Sequence, residues 1–184
     1  MSSENKPSFP KRLLSLLGAP FSKVKETNET LLFDLDKSKM GSTQLPKHLQ
    51  DRYKIMRTLG QGGYGGVYLV QDMMIGRLAA MKLLKKASSE GDAVFDHFKQ
   101  EARIAGQLDH ENIVVIFNAE YEDNHAFIVM EYLSEGNLAS VINDKGMYSP
   151  HEAMVVAKGI LDGLSAAHRM RVVHRDIKPE NILF

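Results

Sequence analysis

The composition of this 184-residue chain, with 43% hydrophobic and 25% charged residues, is typical of a globular protein of one or two domains. Its 23 basic and 23 acidic side chains balance, which excludes recognition of nucleic acid or an anionic membrane through bulk charge. The absence of cysteine excludes disulfides and thiolate metal sites and favours the cytoplasm. The apolar runs are far shorter than the roughly 20 residues that span a bilayer.

Residues 1–51 are predicted to form a flexible leader, because polar residues dominate and the apolar positions keep no period. One apolar cluster, from Arg12 to Phe21, is interrupted by Gly18 and Pro20. It begins too late and is too broken for a signal peptide. A short membrane-surface or partner-docking helix and an idle linker both remain open for this cluster.

A strand, a glycine-rich turn and a second strand are predicted next. Residues 53–59 alternate loosely between apolar and polar, and the glycine-rich run 60–66 separates them from the apolar run 67–70. A dinucleotide-binding fold would need a helix directly after the glycines. The pattern therefore favours a hairpin whose backbone amides lie over phosphates, and a hairpin without a ligand is the alternative when the motif is taken alone.

A single lysine, Lys82, is embedded in the apolar run 78–84, where an unpaired charge would be costly. Apolar residues then recur at helical spacing between Val94 and Leu108, and Glu101 falls on the same inward face. An ion pair between Lys82 and Glu101 is therefore predicted, although a surface glutamate is an equal alternative when Glu101 is considered alone.

A second helix is predicted from Ser149 to about His168, because Ser149-Pro150-His151-Glu152 forms a capping box with proline at the first helical position. One face of this helix is apolar. Its members are Val156, Ile160, Leu164 and Ala167.

The run His174–Phe184 has the spacing H-R-D-x-x-x-x-N of a phosphotransferase catalytic loop. It places Asp176, a candidate general base, five positions before Asn181, a candidate metal ligand. Both side chains can therefore face one bound nucleotide. This is the most specific chemical signal in the sequence.

In order, these segments resemble the signatures of the protein kinase family: the glycine motif from Gly60 to Val67, Ala79-Ala80-Met81-Lys82, Glu101, and the catalytic loop. Lys178 resembles the serine/threonine branch. The resemblance covers residues 52–184 and implies an α+β fold. We expect an antiparallel N-lobe sheet with one helix of the αC type at 52–130 and a hinge at 131–136. The first helices and the catalytic loop of a helical C-lobe are expected at 137–184.

The resemblance implies a role for each matching residue. Lys82, held by Glu101, would pair with the α- and β-phosphates of ATP. Asp176 would accept the proton of a protein serine or threonine hydroxyl, Lys178 would steady the γ-phosphoryl group, and Asn181 would bind Mg²⁺. The residues implied to surround adenine and phosphates are Leu59, Gly60, Gln61, Gly62, Gly63, Tyr64, Gly65, Gly66, Val67, Ala80, Met130 (the gatekeeper), Glu131 and Leu133.

The resemblance also carries three expectations about this chain. Because the match stops before the D-F-G aspartate of the family, we expect a truncated domain that is inactive alone. The apolar face of the helix 150–168 is expected to be uncovered and open to a partner. Gly63 and Gly66 are glycines in addition to those of the family motif, and they predict a more flexible nucleotide loop.

A serine/threonine protein kinase is the favoured function. A nucleotide-binding or interaction module, similar to a pseudokinase, and a small-molecule phosphotransferase are the alternatives.

Overall fold

A computed structural model of the chain describes residues 45–62, 65–85, 99–100, 102–122 and 125–184. Its centre is a five-stranded antiparallel sheet of order β1-β2-β3-β5-β4, followed by helices, as expected of an α+β kinase-like fold. The strands are β1 (Tyr53–Gly62), β2 (Gly65–Asp72), β3 (Arg77–Lys85), β4 (Ile116–Glu122) and β5 (His125–Glu131). The helices are α1 (Lys47–Gln50), α2 (Leu138–Lys145) and α3 (Pro150–Arg169), with a 3-10 turn at Pro179–Asn181. Residues 99–100 and 102–105 are also helical.

No helix within these ranges is long and apolar enough to cross a membrane.

The central strands bury both faces of the sheet. Successive side chains of a strand point to opposite faces, so each of β3 and β5 contributes to two apolar clusters. The inner cluster contains Val67, Ala80, Ala102, Ala105, Val114, Ala126, Ile128 and Met130. The outer cluster contains Leu45, Leu49, Tyr53, Tyr68, Val70, Ala79, Met81, Leu83, Phe127 and Val129.

Residues 45–50 pack against the sheet, whereas the sequence assigned them to the flexible leader. Leu45 and Leu49 are 6% and 3% exposed and belong to the outer cluster. Gln50 Nε2 donates a hydrogen bond to the backbone oxygen of Leu45 at 2.7 Å. Two leucines four positions apart in a polar segment form no recognisable period, so only the presence of the sheet reveals their role. The apolar cluster from Arg12 to Phe21 lies outside the described residues.

Helix α3 begins at the predicted capping box. Ser149 Oγ accepts from the backbone N–H of Glu152 at 3.3 Å, and Glu152 Oε2 accepts from the backbone N–H of Ser149 at 2.8 Å. These bonds satisfy two amides at the start of the helix, which have no partner within it. The helix ends at Arg169, one residue after the predicted end.

The apolar face of α3 is buried within this chain, so the prediction of an uncovered face is wrong. Val156 and Ala167 are 6% and 0% exposed, and the half-buried Ile160 and Leu164 pack beside them. The residues that cover this face come from the turn before β4 and from the segment after the catalytic loop: Leu108, Ile113 and Ile182. The partner predicted for that face therefore has no support. A periodic stripe shows that something covers a helix, but not which segment does so.

Gly163 allows α3 to pack directly on the backbone of the turn before β4. A β carbon at this position would lie 3.0 Å from the backbone oxygen of Asn112, which is buried. The turn is held in place because the N–H of Asn112 donates to His110 Nδ1 at 3.1 Å. We expect Gly163→Ala to lower the free energy of unfolding by about 1 kcal/mol, because the overpacking exceeds the gain in helix propensity. Urea denaturation monitored by circular dichroism measures the difference.

Ala157→Gly serves as the control, because Ala157 is exposed on the same helix. It should report helix propensity alone, a loss of about 1 kcal/mol. If Gly163→Ala instead stabilised the protein by a similar amount, the close contact with Asn112 would not restrict this position.

Candidate active site

The catalytic loop brings Asp176, Lys178 and Asn181 into direct contact. Lys178 Nζ lies 2.9 Å from Asp176 Oδ2, and Asn181 Nδ2 donates to the same oxygen at 3.0 Å. Asn181 Nδ2 also donates to the backbone oxygen of Asp176 at 2.7 Å. Two donors thus orient one carboxylate, whose side chain is 40% exposed and remains accessible to a substrate.

The backbone before this cluster is turned sharply and held by a buried histidine. Arg175 has φ 63°, a left-handed conformation that is uncommon for residues other than glycine. The His174 side chain is buried, and its Nδ1 accepts from the backbone N–H of Asp176 at 3.2 Å. The histidine therefore shapes the loop beneath Asp176.

The position of Asn181 is fixed by the chain that follows it. Backbone hydrogen bonds join residues 182–184 to residues 135–138: Leu138 N–H to the oxygen of Ile182 at 2.8 Å, Glu135 N–H to the oxygen of Phe184 at 3.0 Å, and Phe184 N–H to the oxygen of Gly136 at 2.9 Å. The catalytic loop is thereby tied to the segment that leaves β5 and enters α2.

Asn181 also presents an oxygen that suits a cation. The residue is completely buried, and its Oδ1 accepts no hydrogen bond from any residue in the described ranges. A buried amide oxygen without a partner is costly, whereas an amide oxygen is a ligand that Mg²⁺ accepts. The residue thus fits the metal role that the resemblance implied.

Five apolar residues predicted to surround adenine lie together in the structure. Val67, Ala80 and Met130 belong to the buried inner cluster, and Leu59 and Leu133 pack against it. They come from β1, β2, β3, β5 and the segment after β5, so only the folded sheet assembles them.

Leu183 packs against the same inner cluster and was missed by the sequence analysis. Its signal was an apolar residue in the short extended run directly after the catalytic loop. Because Asn181 lies two positions earlier, Leu183 links the apolar cluster to the catalytic loop.

Lys82 lies on the inner face of β3, 7% exposed, between Val67 of β2 and Ile128 of β5. A buried ammonium group at this place requires anionic or polar partners. Glu101, the partner predicted from the sequence, lies outside the described residues, so that pair stays a prediction. The neighbouring helical residues Ala102 and Ala105 are buried in the inner cluster, which puts this helix against the sheet.

The glycine-rich segment forms the predicted hairpin and pairs almost to its tip. Gly60 lies opposite Val67, Gln61 opposite Gly66, and Gly62 opposite Gly65. Gly63 and Tyr64 lie outside the described residues.

Gly66 has a packing role, whereas we expected it to loosen the loop. A β carbon on Gly66 would lie 2.6 Å from the hydroxyl oxygen of Tyr68, whose buried ring lies over this glycine. Gly66 also pairs with strands on both sides, opposite Gln61 and Leu83. The absence of a side chain here makes room for the tyrosine.

At the end of β5, the backbone N–H of Glu131 donates to the oxygen of Val115 at 2.9 Å. This amide is therefore engaged within the protein, so the amide of Glu131 is not a group that would bind adenine. Adenine contacts through the other backbone groups of Glu131 and Leu133 stay a prediction.

The antiparallel sheet with its buried lysine, joined to an Asp-Lys-Asn loop, defines the class of a protein kinase-type phosphotransferase. The protein kinase domain model matches residues 53–184. The chain belongs to the protein kinase family, within its eukaryotic-like serine/threonine group.

Several of its relatives are bacterial serine/threonine kinases. The chain is 39% identical over 137 residues to serine/threonine-protein kinase PrkC of Bacillus subtilis, across 74% of this chain and 21% of that protein. It is 33% identical over 135 residues to serine/threonine-protein kinase PknL of Mycobacterium tuberculosis, across 73% of this chain and 34% of that protein. It is 34% identical over 141 residues to the probable serine/threonine-protein kinase PknB of Lactococcus lactis, across 76% of this chain and 22% of that protein. The matched region thus spans 21% to 34% of the length of these relatives.

Proposed function

We propose that this chain contributes the nucleotide-binding sheet and catalytic loop of an ATP-dependent serine/threonine protein kinase. The observation that carries the proposal is the contact of Asp176 with both Lys178 and Asn181. It supports a transfer from Mg-ATP to a hydroxyl group on a protein. The cytoplasmic location stays a prediction.

Asp176 is proposed to be the general base. The serine or threonine oxygen forms a bond to the γ-phosphorus, its proton passes to the Asp176 carboxylate, and the bond from phosphorus to the β–γ bridging oxygen breaks to release ADP. Lys178, which contacts Asp176 Oδ2, would neutralise charge on the transferred group. The lysine would thus keep the base in place and stabilise the transition state.

Nucleotide binding is proposed to use both the apolar residues and the buried lysine on the inner face of the sheet. The apolar residues Leu59, Val67, Ala80 and Met130 suit a purine ring, and Lys82 beside them suits phosphates. Asn181 Oδ1 would hold Mg²⁺, which when bound neutralises phosphate charge and aligns the phosphoryl group. A kinase site needs this combination of apolar wall, cation and metal ligand, whereas an interaction module does not.

Lys82→Met tests the nucleotide site. The change keeps the aliphatic stem and removes the charge, so we expect affinity for Mg-ATP to fall by about tenfold or more, as for the loss of a charge-assisted hydrogen bond. Isothermal titration of this chain with Mg-ATP measures the dissociation constant.

Lys54→Met is the matched control, since Lys54 is exposed on β1 and belongs to no part of the proposed site. It should bind Mg-ATP as the unchanged chain does. A folded wild-type chain that bound no Mg-ATP, or a Lys82→Met chain that bound it with unchanged affinity, would contradict the proposed nucleotide site.

A further inference from the structure

Arg57 of β1 reaches the segment that follows β5. Its Nη2 donates to the hydroxyl oxygen of Tyr132 at 2.8 Å. In the sheet order, β2 and β3 lie between β1 and β5. The bond therefore joins two parts of the chain that the strand ladder does not join directly.

The register of β1 against β2 is interrupted on both sides of Arg57. One irregularity lies between Ile55 and Arg57, and the other between Thr58 and Gly60. Bulges of this kind redirect side chains and increase the local bend of a strand. They allow Arg57 to face Tyr132 while Gly60 still lies opposite Val67.

Strand β1, which carries Arg57, has a ladder partner on one side in the part of the chain that the structure describes. Among the five strands of the described ranges, β1 lies at the edge of the sheet and pairs with β2 alone. Leu59 and Gly60, which are proposed to cover the nucleotide, follow Arg57 after the single residue Thr58. Tyr132, in contrast, packs partly buried against the inner cluster and is well anchored. A tie from Arg57 to Tyr132 therefore restricts how far the glycine-rich hairpin can tilt from the apolar cluster.

We propose that Arg57 and Tyr132 form a positioning pair that holds the glycine-rich hairpin close to the segment after β5 and so strengthens nucleotide binding. Neither side chain is assigned a contact with the reacting atoms. The effect on binding rests on the proposed function, whereas the effect on hairpin mobility does not.

The test compares Arg57→Met, Tyr132→Phe and the double variant in this chain, with Mg-AMP-PNP as the probe. Each single change removes the hydrogen bond and keeps the bulk of its side chain. Because the bond is solvent-exposed, we expect each single change to weaken binding by about threefold to tenfold, the range for an ordinary hydrogen bond. The double variant should bind no more weakly than either single variant. Arg57→Lys, which keeps a donor, should recover part of the affinity.

Hydrogen exchange of the nucleotide-free chain gives a second readout. Backbone amides of residues 59–62 should exchange faster in Arg57→Met and Tyr132→Phe than in the wild-type chain, while the thermal midpoint stays close to the wild-type value. Lys54→Met, which removes a charge from the same strand, should change neither affinity nor exchange.

The outcomes separate this inference from the proposed function. Additive losses in the double variant, or unchanged exchange at residues 59–62, would overturn the positioning pair. If the wild-type chain bound no nucleotide, the proposed function would fail, and faster exchange in both single variants would still support the tie between Arg57 and Tyr132.

Discussion

Asp176→Asn is expected to lower the rate of phosphoryl transfer by a factor of about 10²–10⁴, the usual contribution of a positioned general base. Asparagine has nearly the same shape and can still accept from Lys178 and Asn181, but it cannot take the proton of a hydroxyl group. Affinity for Mg-ATP should therefore stay near the wild-type value. Single-turnover transfer of labelled phosphate to a protein substrate, measured with a complete kinase domain that contains this chain, separates the chemical step from binding.

Asp162→Asn is a closely matched control. The Asp162 side chain is 42% exposed and lies 2.6 Å from Lys158 Nζ, so it resembles Asp176 in exposure and in its lysine partner. It lies on α3, away from the catalytic loop, and its replacement should leave the rate of transfer unchanged. Equal losses in the two variants, or a full rate in Asp176→Asn, would count against the role proposed for Asp176.

Asn181→Asp is expected to destabilise the fold by about 3 kcal/mol at pH 7, through lost hydrogen bonds and like-charge repulsion. The change replaces the donor Nδ2 by an oxygen. Two bonds to Asp176 are lost, and two carboxylate oxygens then face each other at the distance that is now 3.0 Å. Chemical denaturation of the variant and the wild type measures the difference in the free energy of unfolding.

The deficit of Asn181→Asp should depend on pH with a definite sign. Repulsion raises the pKa of one of the two carboxyl groups in the folded variant above its unfolded value of about 3.9. Below that pH the group is protonated in both states and the repulsion is absent. The deficit therefore grows as the pH rises from about 4 through the raised pKa.

Asn137→Asp is the control for this change of amide to carboxylate. Asn137 caps α2, where its Oδ1 accepts from the backbone N–H of Ser140 at 2.9 Å. Aspartate keeps that acceptor and suits the start of a helix, so stability at pH 7 should be nearly unchanged. A deficit in Asn181→Asp that did not vary with pH would show that repulsion with Asp176 is not its cause.

Several elements could be predicted because their signals are local. Glycines between two short apolar runs predicted the hairpin of β1 and β2, and the lysine in the next apolar run marked β3. The capping box at Ser149 placed the start of α3 at Pro150, where the structure has it. Each of these features depends on backbone conformation or hydrogen bonding within a few residues, which the order of residue types reveals directly.

The sequence alone indicated the kinase family, from the spacing of the glycine motif, Lys82 and the catalytic loop, together with the hairpin of β1 and β2 and the start of α3. Only the tertiary structure showed that the apolar face of α3 packs against Leu108, Ile113 and Ile182, and that residues 45–50 cover the outer face of the sheet. The same holds for the bond between Arg57 and Tyr132. The physical reason is shared: a period or a charge in the sequence shows that a side chain needs a partner, but the partner lies far along the chain and is chosen by packing in three dimensions.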